Sequence, residues 1–276
     1  MKIFRKASEL EPNLVSIKDK GQSIGLVLTM GNLHDGHLSL IREAQLHNEF
    51  VICSIFINPT QFNNENDFNS YPKTIDEDIS KLENIGCNVL FLPEVQEIYP
   101  KGLVKKKIVN NFRNILCDKF RPGHFDGVTT VVDLFFNMIK PTNSYFGEKD
   151  FQQVKIIQDL VKINHHNIKI IQCPSVRDKM GMSLSSRNSK FSNDQLKIFN
   201  VLGNKIKEHI NLLTQNEINN LDQLKIELLQ NNINKIDYLE IRNENNLEIT
   251  KNYSEARLFI ALYIGDIRII DNFKLY

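Results

Sequence analysis

The sequence predicts an α/β protein in which a doubly wound parallel sheet is followed by a smaller α+β domain. Short apolar runs alternate with helical patterns over the first two thirds of the 276-residue chain. After about residue 186 the pattern changes, with helices first and strands after them. Strands separated by helices pair in parallel, because each helical crossover returns the chain to the same end of the sheet.

Five apolar runs predict the strands of the parallel sheet, at residues 24–28, 50–56, 89–92, 144–146 and 167–172. They are short, and β-branched and aromatic side chains are frequent in them. Ligands of such sheets bind outside the carboxyl ends of the strands. The loops that directly follow these runs are therefore the expected location of a site.

Helical patterns fill the intervals between the strands. Thr74 and Glu77 have the spacing of a capping box, and Gly86 supplies the stop of that helix. Apolar residues at helical spacing predict a helix over 126–140, although the β-branched run VTTVV leaves a strand open there. A further helix is expected from Asp150 to about residue 163.

The C-terminal part predicts a small α+β domain. Ser192 and Gln195 fit a second capping box, which begins a helix to about residue 213. Another helix is expected over about 221–231, and strands near 235–242, 257–263 and 267–270. We expect domains at 1–183 and 184–276, with a hinge around 177–188.

Composition narrows the class of protein. Lys and Arg number 34 and Asp and Glu 33, so a general nucleic-acid-binding surface is not expected. No apolar run reaches the roughly 18 residues of a membrane span, and no signal peptide is recognised, so we expect a cytoplasmic protein. The four cysteines lack a C-x-x-C pair, which argues against structural zinc. Cys53, in an apolar run, is expected to be buried.

The run TMGNLHDGHLSL, residues 29–40, joins the first predicted strand to a helix. Its glycines let the backbone approach a ligand, and a helix N-terminus attracts anions. His34 and His37 can donate hydrogen bonds to a phosphate whose charge changes during reaction. The run therefore predicts nucleotide chemistry, and the alternative is a turn with a chance histidine cap.

Two further loops carry polar side chains that suit a substrate. INPTQF follows the second predicted strand, and its Gln61 can donate to or accept from a hydroxyl or a carboxylate. RPGHF contains Arg121, which can bind an anion through two parallel hydrogen bonds, and His124, whose role stays open. A polar loop tip is an equal alternative for INPTQF, and a surface turn is favoured for RPGHF.

FGEKDFQQ repeats the strand-to-helix arrangement of the first loop. Lys149 can act as a point charge on a phosphate, Asp150 can be only an N-cap, and Gln153 lies one turn further. MSLSSRN, residues 182–188, has hydroxyls and Arg187 that can wrap a triphosphate and neutralise leaving diphosphate. The alternative is a Ser-rich linker between domains. The two interpretations are compatible if the linker is a hinge loop that closes on the nucleotide.

Four other histidines are not expected to act in a site. His165 and His166 are adjacent, so they rarely converge on one metal, and a solvated loop is predicted for them. His47 and His209 lie in helical patterns and are expected at the surface.

Together, TMGNLHDGHLSL, SIFINPTQF, YPKT, RPGHF, FGEKDFQQV and SLSSRN resemble the pantothenate synthetase (pantoate–β-alanine ligase) family. The motifs stand in the family's order and spacing, the ending IGDIRIIDN also fits, and the resemblance covers nearly the whole chain. The first motif alone indicates only the wider nucleotidyltransferase superfamily with the HxGH motif. The combination of NPTQF, GEKDFQQ and SSRN is far more specific.

The resemblance implies a Rossmann-like domain that binds ATP and pantoate, followed by a lid domain. It implies ATP- and Mg²⁺-dependent condensation of pantoate with β-alanine through pantoyl adenylate, which releases AMP and diphosphate. It also implies a homodimer, while the composition predicts neither nucleic acid nor a membrane as partner. The rivals are another adenylyltransferase, a nucleotide-binding regulatory module without catalysis, and a tRNA-binding protein, which the near-neutral charge disfavours.

Site residues follow from the resemblance position by position. The catalytic set is His34, His37, Lys149 and Arg187, with His37 as the proton donor. Gln61 and Gln153 hold pantoate, Gln61 also borders the β-alanine site, and Arg121 is a weaker substrate-binding candidate. The ATP-binding residues are Met30, Gly31, Asn32, Leu33, His34, Asp35, Gly36, His37, Gly147, Glu148, Lys149, Asp150, Val176, Leu184, Ser185, Ser186 and Arg187.

The chain departs from the family pattern in two places. Before SSRN the family usually has an Asp-Gly pair and a small residue, whereas this chain has Met180 and Ser183. The family often carries an Asp pair linked to Mg²⁺ after YPKT, and this chain offers Glu77 and Asp78. Because Glu77 also fits the capping box, the metal ligands are left open.

Overall fold

A parallel sheet organises the N-terminal part of the chain. The computed structural model describes residues 1–106, 108–213 and 220–276. They divide into a first unit, Met1–Glu148 with Gln153–Pro174, and a second unit, Lys149–Gln152 with Ser175–Tyr276. Within the second unit, Arg177 and Ser183 bind Asp271. The predicted domains at 1–183 and 184–276 stay a prediction.

Within the described residues the first unit contains six parallel strands in the order β1-β4-β3-β2-β5-β6. The strands are β1 Lys2–Phe4, β2 Ile24–Thr29, β3 Phe50–Ile55, β4 Val89–Phe91, β5 Asn143–Gly147 and β6 Lys169–Cys173. The predicted fold class is confirmed, and the five predicted strands are present. The prediction missed β1, whose three residues are too short to show a pattern.

Helices cover both faces of this sheet, as the crossovers require. They are α1 Ala7–Asp19, α2 Asp35–His47, α3 Glu65–Asn69, α4 Ile75–Asn84, α5 Val95–Ile98, α6 Leu116–Phe120, α7 His124–Ile139 and α8 Phe151–Asn164. The strand alternative for VTTVV is wrong, because that run lies in α7. This helix is buried over most of its circumference, so its β-branched residues are accommodated by packing rather than by propensity.

One of the two predicted capping boxes is absent. Thr74 makes no side-chain cap on α4, and its hydroxyl donates to Asp78 instead, with Oγ1 and Oδ2 3.2 Å apart. The second box is confirmed. The Ser192 amide donates to Gln195 Oε1 at 2.9 Å, and the Gln195 amide donates to Ser192 Oγ at 3.3 Å.

The strand order places the carboxyl ends of β2, β3 and β5 side by side in the first unit. Strand β2 is hydrogen-bonded to β3 on one side and to β5 on the other. The chain runs from β2 through β3 to β4 on one side and continues through β5 to β6 on the other, so the order reverses between β2 and β5. Ligands of doubly wound sheets bind at the carboxyl ends of the strands at such a reversal.

The second unit is built on an antiparallel sheet of three strands in the order β7-β8-β9, counted over its described residues. The strands are β7 Lys235–Asn243, β8 Ala256–Ile264 and β9 Ile267–Lys274, and the helices are α9 Asn193–Leu213 and α10 Asn220–Gln230. Leu202 and Ile206 of α9 form a core with Leu258 and Leu262 of β8. All these elements were predicted, although β9 is longer than expected.

The predictions for two histidines differ from the structure. The loop predicted for His165 and His166 is present and His166 is exposed in it, but the His165 ring is largely buried and lies 2.7 Å from Asp133 of α7. His209 is buried and lies 3.3 Å from Glu227 of α10. His47 is exposed and Cys53 is buried, as predicted. No helix in the described part of the chain is both long and apolar enough to cross a membrane.

Candidate active site

The H-x-G-H turn leaves the end of β2 and begins α2. Gly31 has a φ of 80° and Asn32 a φ of 49°, so two successive residues adopt left-handed backbone. His34 is the N-cap of α2, which begins at Asp35. The alternative of a turn with a histidine cap is therefore partly right, because His34 does cap the helix. The same hydrogen bond also fixes the orientation of the His34 ring.

The two histidines are held in one tautomer. The amide of Gly36 donates to Nδ1 of His34 at 3.1 Å, and the amide of His34 donates to Nδ1 of His37 at 3.4 Å. A ring nitrogen that accepts carries no proton, so this bonding pattern assigns the proton of each neutral ring to Nε2. The ring centroids are 4.1 Å apart. The turn therefore presents two neighbouring Nε2–H donors at a helix start.

Asp78 of α4 holds this turn from beneath. Its carboxylate is buried and accepts the amides of Asn32 at 2.8 Å and Leu33 at 2.7 Å. Lys81, one turn further along α4, donates to the carbonyl of Leu33 at 2.8 Å. Because both carboxylate oxygens accept backbone amides, Asp78 supports the backbone of this turn.

Gln61 stands in a rigid turn after β3. Asn58 is buried, and its amide nitrogen donates to Gln61 Oε1 at 3.0 Å, while its Oδ1 accepts the Tyr99 hydroxyl at 2.8 Å. Burial raises the pKa of Tyr99, which keeps this hydroxyl a donor. The Gln61 amide nitrogen therefore points away from Asn58, and it lies 3.2 Å from the sulfur of Met30 in the H-x-G-H turn.

Arg121 and His124 support the same turn. His124 is buried at the start of α7, and its Nδ1 lies 2.7 Å from the carbonyl oxygen of Gln61. Arg121 donates to that carbonyl at 3.3 Å and lies 3.0 Å from Nε2 of His124. RPGHF does form a turn with Pro122 exposed, but its Arg and His contact the backbone of the turn that carries Gln61.

The last predicted site residues of the first unit lie at and after the end of β5. Gly147 closes the strand, and a side chain there would meet nothing within 4 Å. Glu148 accepts from Gln172 of β6, with Oε1 and Nε2 2.9 Å apart. Gln153 lies half-buried in the first turn of α8.

The remaining predicted residues belong to the second unit. Lys149 and Asp150 lie in a 3₁₀ turn, with Nζ and Oδ2 3.7 Å apart. Val176 and Leu184 pair through the Leu184 amide and the Val176 carbonyl at 2.9 Å. Ser185 caps a second 3₁₀ turn by accepting the amide of Arg187 at 3.2 Å, and Ser186 begins that turn.

The altered stretch before SSRN forms an ordered loop. Asp178 accepts the amides of Met180 and Met182, each at 2.9 Å, and Gly181 turns with a φ of 85°. Ser183 donates its hydroxyl to Asp271. The loop is thus closed by a single carboxylate at its tip and anchored at its end. Among the described residues, no group of three or more His, Cys, Asp or Glu could hold a metal ion.

The chain is similar to known proteins along its whole length. The family model described as pantoate–β-alanine ligase matches residues 2–274. Pantothenate synthetase of Francisella tularensis subsp. novicida is 44% identical over 255 residues, 92% of this chain and 90% of the relative. That of Thermodesulfovibrio yellowstonii is 41% identical over 262 residues, 93% of each chain.

Solved structures agree with this similarity. The pantothenate synthetase of Thermus thermophilus superposes with a TM-score of 0.91 at 32% identity, over all of both chains. The Francisella tularensis ligase complexed with β-γ ATP and β-alanine superposes with a TM-score of 0.85 at 39% identity, over 100% of this chain and 98% of the other. The chain therefore belongs to the pantoate–β-alanine ligase family.

Proposed function

We propose that this protein condenses pantoate with β-alanine at the expense of ATP and forms pantothenate, AMP and diphosphate. The observation that carries the proposal is the pair of Nε2–H donors at the start of α2, just after the carboxyl end of β2. The preceding turn is held by Asp78, which accepts the amides of Asn32 and Leu33. Family membership and a relative complexed with β-γ ATP and β-alanine support the choice of substrates.

The reaction proceeds in two steps. A pantoate carboxylate oxygen attacks the α-phosphorus of ATP, and the bond from that phosphorus to the bridging oxygen breaks, so diphosphate leaves and pantoyl adenylate forms. The β-alanine amine then attacks the acyl carbon, AMP leaves with its bonding electrons, and the amine loses a proton. Neither step needs an enzyme nucleophile, so positioning and charge stabilisation suffice.

The first unit supplies hydrogen-bond donors and substrate contacts. His34 and His37 donate hydrogen bonds from Nε2 to nucleotide phosphates. Because Nδ1 of His37 already accepts the His34 amide, the neutral ring supplies a hydrogen bond rather than the proton that the resemblance implies. Gln61 binds pantoate through its amide nitrogen, because Asn58 occupies its oxygen. Gln153 is the second pantoate residue. Arg121 contacts the Gln61 carbonyl, which favours a role in placing Gln61 over a direct fork onto the substrate.

The second unit supplies charge. Lys149 acts as a point charge on the phosphates, and Arg187 neutralises the leaving diphosphate. Met30 to His37, Gly147 to Asp150, Val176 and Leu184 to Arg187 are the proposed ATP-binding residues. Mg²⁺ enters bound to the ATP phosphates, as is usual for nucleotide substrates. The hinge around 177–188, the homodimer and the cytoplasmic location stay predictions.

The test measures AMP, diphosphate and pantothenate formed from ATP, Mg²⁺, pantoate and β-alanine. We expect AMP and pantothenate only when both pantoate and β-alanine are present. ATP turnover that depends on neither compound would support another adenylyltransferase. ATP binding without turnover would support the regulatory module.

Two substitutions test the residue roles. His37→Ala and Lys149→Ala should lower turnover by about 10²- to 10³-fold with the fold intact, because each removes a donor to developing charge. His47→Ala, at the exposed end of α2, and Lys162→Ala, exposed on α8, are matched controls that should leave turnover unchanged. Near-normal turnover of both test variants would contradict the assigned roles.

A further inference from the structure

Two consecutive residues of β9, Asp271 and Asn272, are polar and buried, although β9 is an edge strand of its sheet. Only 3% of Asp271 and 1% of Asn272 is exposed. A buried carboxylate and a buried amide are costly unless partners satisfy them. Their partners lie in the two segments of the second unit that carry proposed ATP-binding residues.

Asp271 holds the segment that leads into SSRN. It accepts the Ser183 amide at 2.7 Å and the Ser183 hydroxyl at 2.6 Å, and it pairs with Arg177 at 3.1 Å. Arg177 also donates to the Asn272 carbonyl at 2.6 Å and lies over the Phe273 ring at 4.4 Å. Ser183 is therefore fixed two residues before Ser185.

Asn272 holds the segment that carries Lys149. Its amide nitrogen donates to the Lys149 carbonyl at 3.1 Å, and its oxygen accepts from Arg257 at 2.7 Å. The Arg257 guanidinium lies over the Phe151 ring at 4.5 Å, and that ring packs against Phe259 at 5.7 Å. These contacts attach the short segment Lys149–Gln152 to the C-terminal sheet.

We propose that Asp271 and Asn272 are positioning residues for ATP, which fix the backbone of the Lys149 segment and of the Ser183–Arg187 segment to one rigid strand. Neither residue touches the nucleotide in this proposal; each acts through the backbone of a residue that does. The inference rests on the proposed function. Because the two residues are adjacent on one strand, they keep the two segments in a fixed register with each other.

The charge on Asp271 matters for this role. Hydrogen bonds to an ionised acceptor are shorter and stronger than neutral ones, and a neutral amide cannot accept from three donors on two groups as a carboxylate does. Ser183 is one of the residues by which this chain departs from the family pattern. Its hydroxyl adds a contact to Asp271 that an alanine or glycine could not make.

The main test compares Asp271→Asn with Asp237→Asn. Asp237 is a matched control. The side chains of Asp237 and Asp271 are each 1% exposed, both residues lie in the same sheet, and Asp237 pairs with an arginine, Arg268, at 2.8 Å. Asp237 and Arg268 are not among the proposed ATP-binding residues. Both variants are expected to lose stability, and only Asp271→Asn is expected to lose ATP affinity.

A second variant keeps the test open if Asp271→Asn does not fold. Asn272→Asp is nearly isosteric and still accepts from Arg257, but it sets an oxygen against the Lys149 carbonyl in place of a donor. We expect Asp271→Asn and Asn272→Asp to raise the KM for ATP by roughly 10- to 100-fold, since such losses follow small misplacements of binding groups. The KM for β-alanine should stay within twofold in both, and Asp237→Asn should leave both constants unchanged.

The outcomes separate positioning from general stability and from the proposed function. A KM for ATP that stays at the wild-type value in folded Asp271→Asn and Asn272→Asp, or rises equally in Asp237→Asn, would overturn the inference. Calorimetric titration with ATP alone provides a measure of affinity that needs no turnover. Wild-type protein that binds ATP but forms no pantothenate would overturn the proposed function, and the calorimetric comparison of the variants would then decide the positioning roles.

Discussion

Gly127→Ala should damage the reaction from a residue that touches no substrate. Gly127 lies in α7 against the turn that carries Gln61. A methyl group at this position would stand 2.4 Å from the Thr60 carbonyl oxygen and 2.8 Å from the Gln61 amide nitrogen. Ordinary contact begins at 3.4 Å, so the turn must retreat by about 1 Å. A misplacement of about 1 Å can cost on the order of 100-fold in rate.

The stability cost of this change is expected to be small. Overpacking a core costs about 1–3 kcal/mol. Alanine in a helix interior is better than glycine by about 1 kcal/mol, which offsets part of that cost. The folded protein should therefore survive while its active site is displaced, so activity and stability can be told apart.

The assay is the kcat/KM for pantoate, together with thermal unfolding. We expect kcat/KM to fall about 100-fold, with a loss of stability below about 2 kcal/mol. Asn137→Ala, at an exposed position of the same helix, is the control for helix propensity and should keep full activity. A folded Gly127→Ala protein with kcat/KM within twofold of wild type would refute the link between this packing and the position of Gln61.

Three further outcomes are expected. Asp78→Asn should lower turnover by roughly 100-fold, because the H-x-G-H turn loses its support and moves. The Mg²⁺ concentration that gives half-maximal activity should stay constant. A changed Mg²⁺ requirement would instead indicate that Asp78 is a metal ligand. Burial raises the pKa of Cys87 to about 11 and of Cys173 to about 12, so neither thiol should react with a thiol reagent at pH 8 before unfolding. Hydrogen bonds, above all the one from Gln223, lower the pKa of Glu227 from its ordinary 4.5 to about 2. The ionised carboxylate therefore stabilises the folded protein above pH 4.5, and this stabilisation is lost as the pH falls towards 2. In Glu227→Gln the melting temperature should depend less on pH over that range, and a pH profile identical to that of the wild type would contradict this.

Much of the fold could be predicted because the signals are local. The runs at β2, β3 and β5 are apolar, short and bounded by turns, and parallel pairing then sends their following loops to one edge of the sheet. The H-x-G-H, NPTQF and GEKD loops were found in this way. Strand β1 and helix α1 carried no comparable signal, since β1 has three residues and α1 contains Pro12.

The supports of the site could not be predicted in the same way. The sequence leaves the metal ligands open, with Glu77 and Asp78 as candidates. It makes Arg121 a weaker substrate-binding candidate in a segment favoured as a surface turn, and it predicts an exposed His209. Each has a partner distant in sequence: Asp78 with the amide of Leu33, Arg121 with the carbonyl of Gln61, and His209 with the carboxylate of Glu227. A periodic pattern reports which face of an element is apolar, but it does not report which element covers that face.

The sequence by itself determined the alternation of strands and helices, the loops that follow the strands, and the residue types in those loops. These properties depend on neighbours within one or two turns of the chain. Only the tertiary structure decided that Asp78 supports the first loop, that Asn58 orients Gln61, and that Asp271 and Asn272 anchor the two segments of the second unit. Those choices depend on buried polar groups finding partners far along the chain, and the packing of the completed sheets sets which partners come within reach.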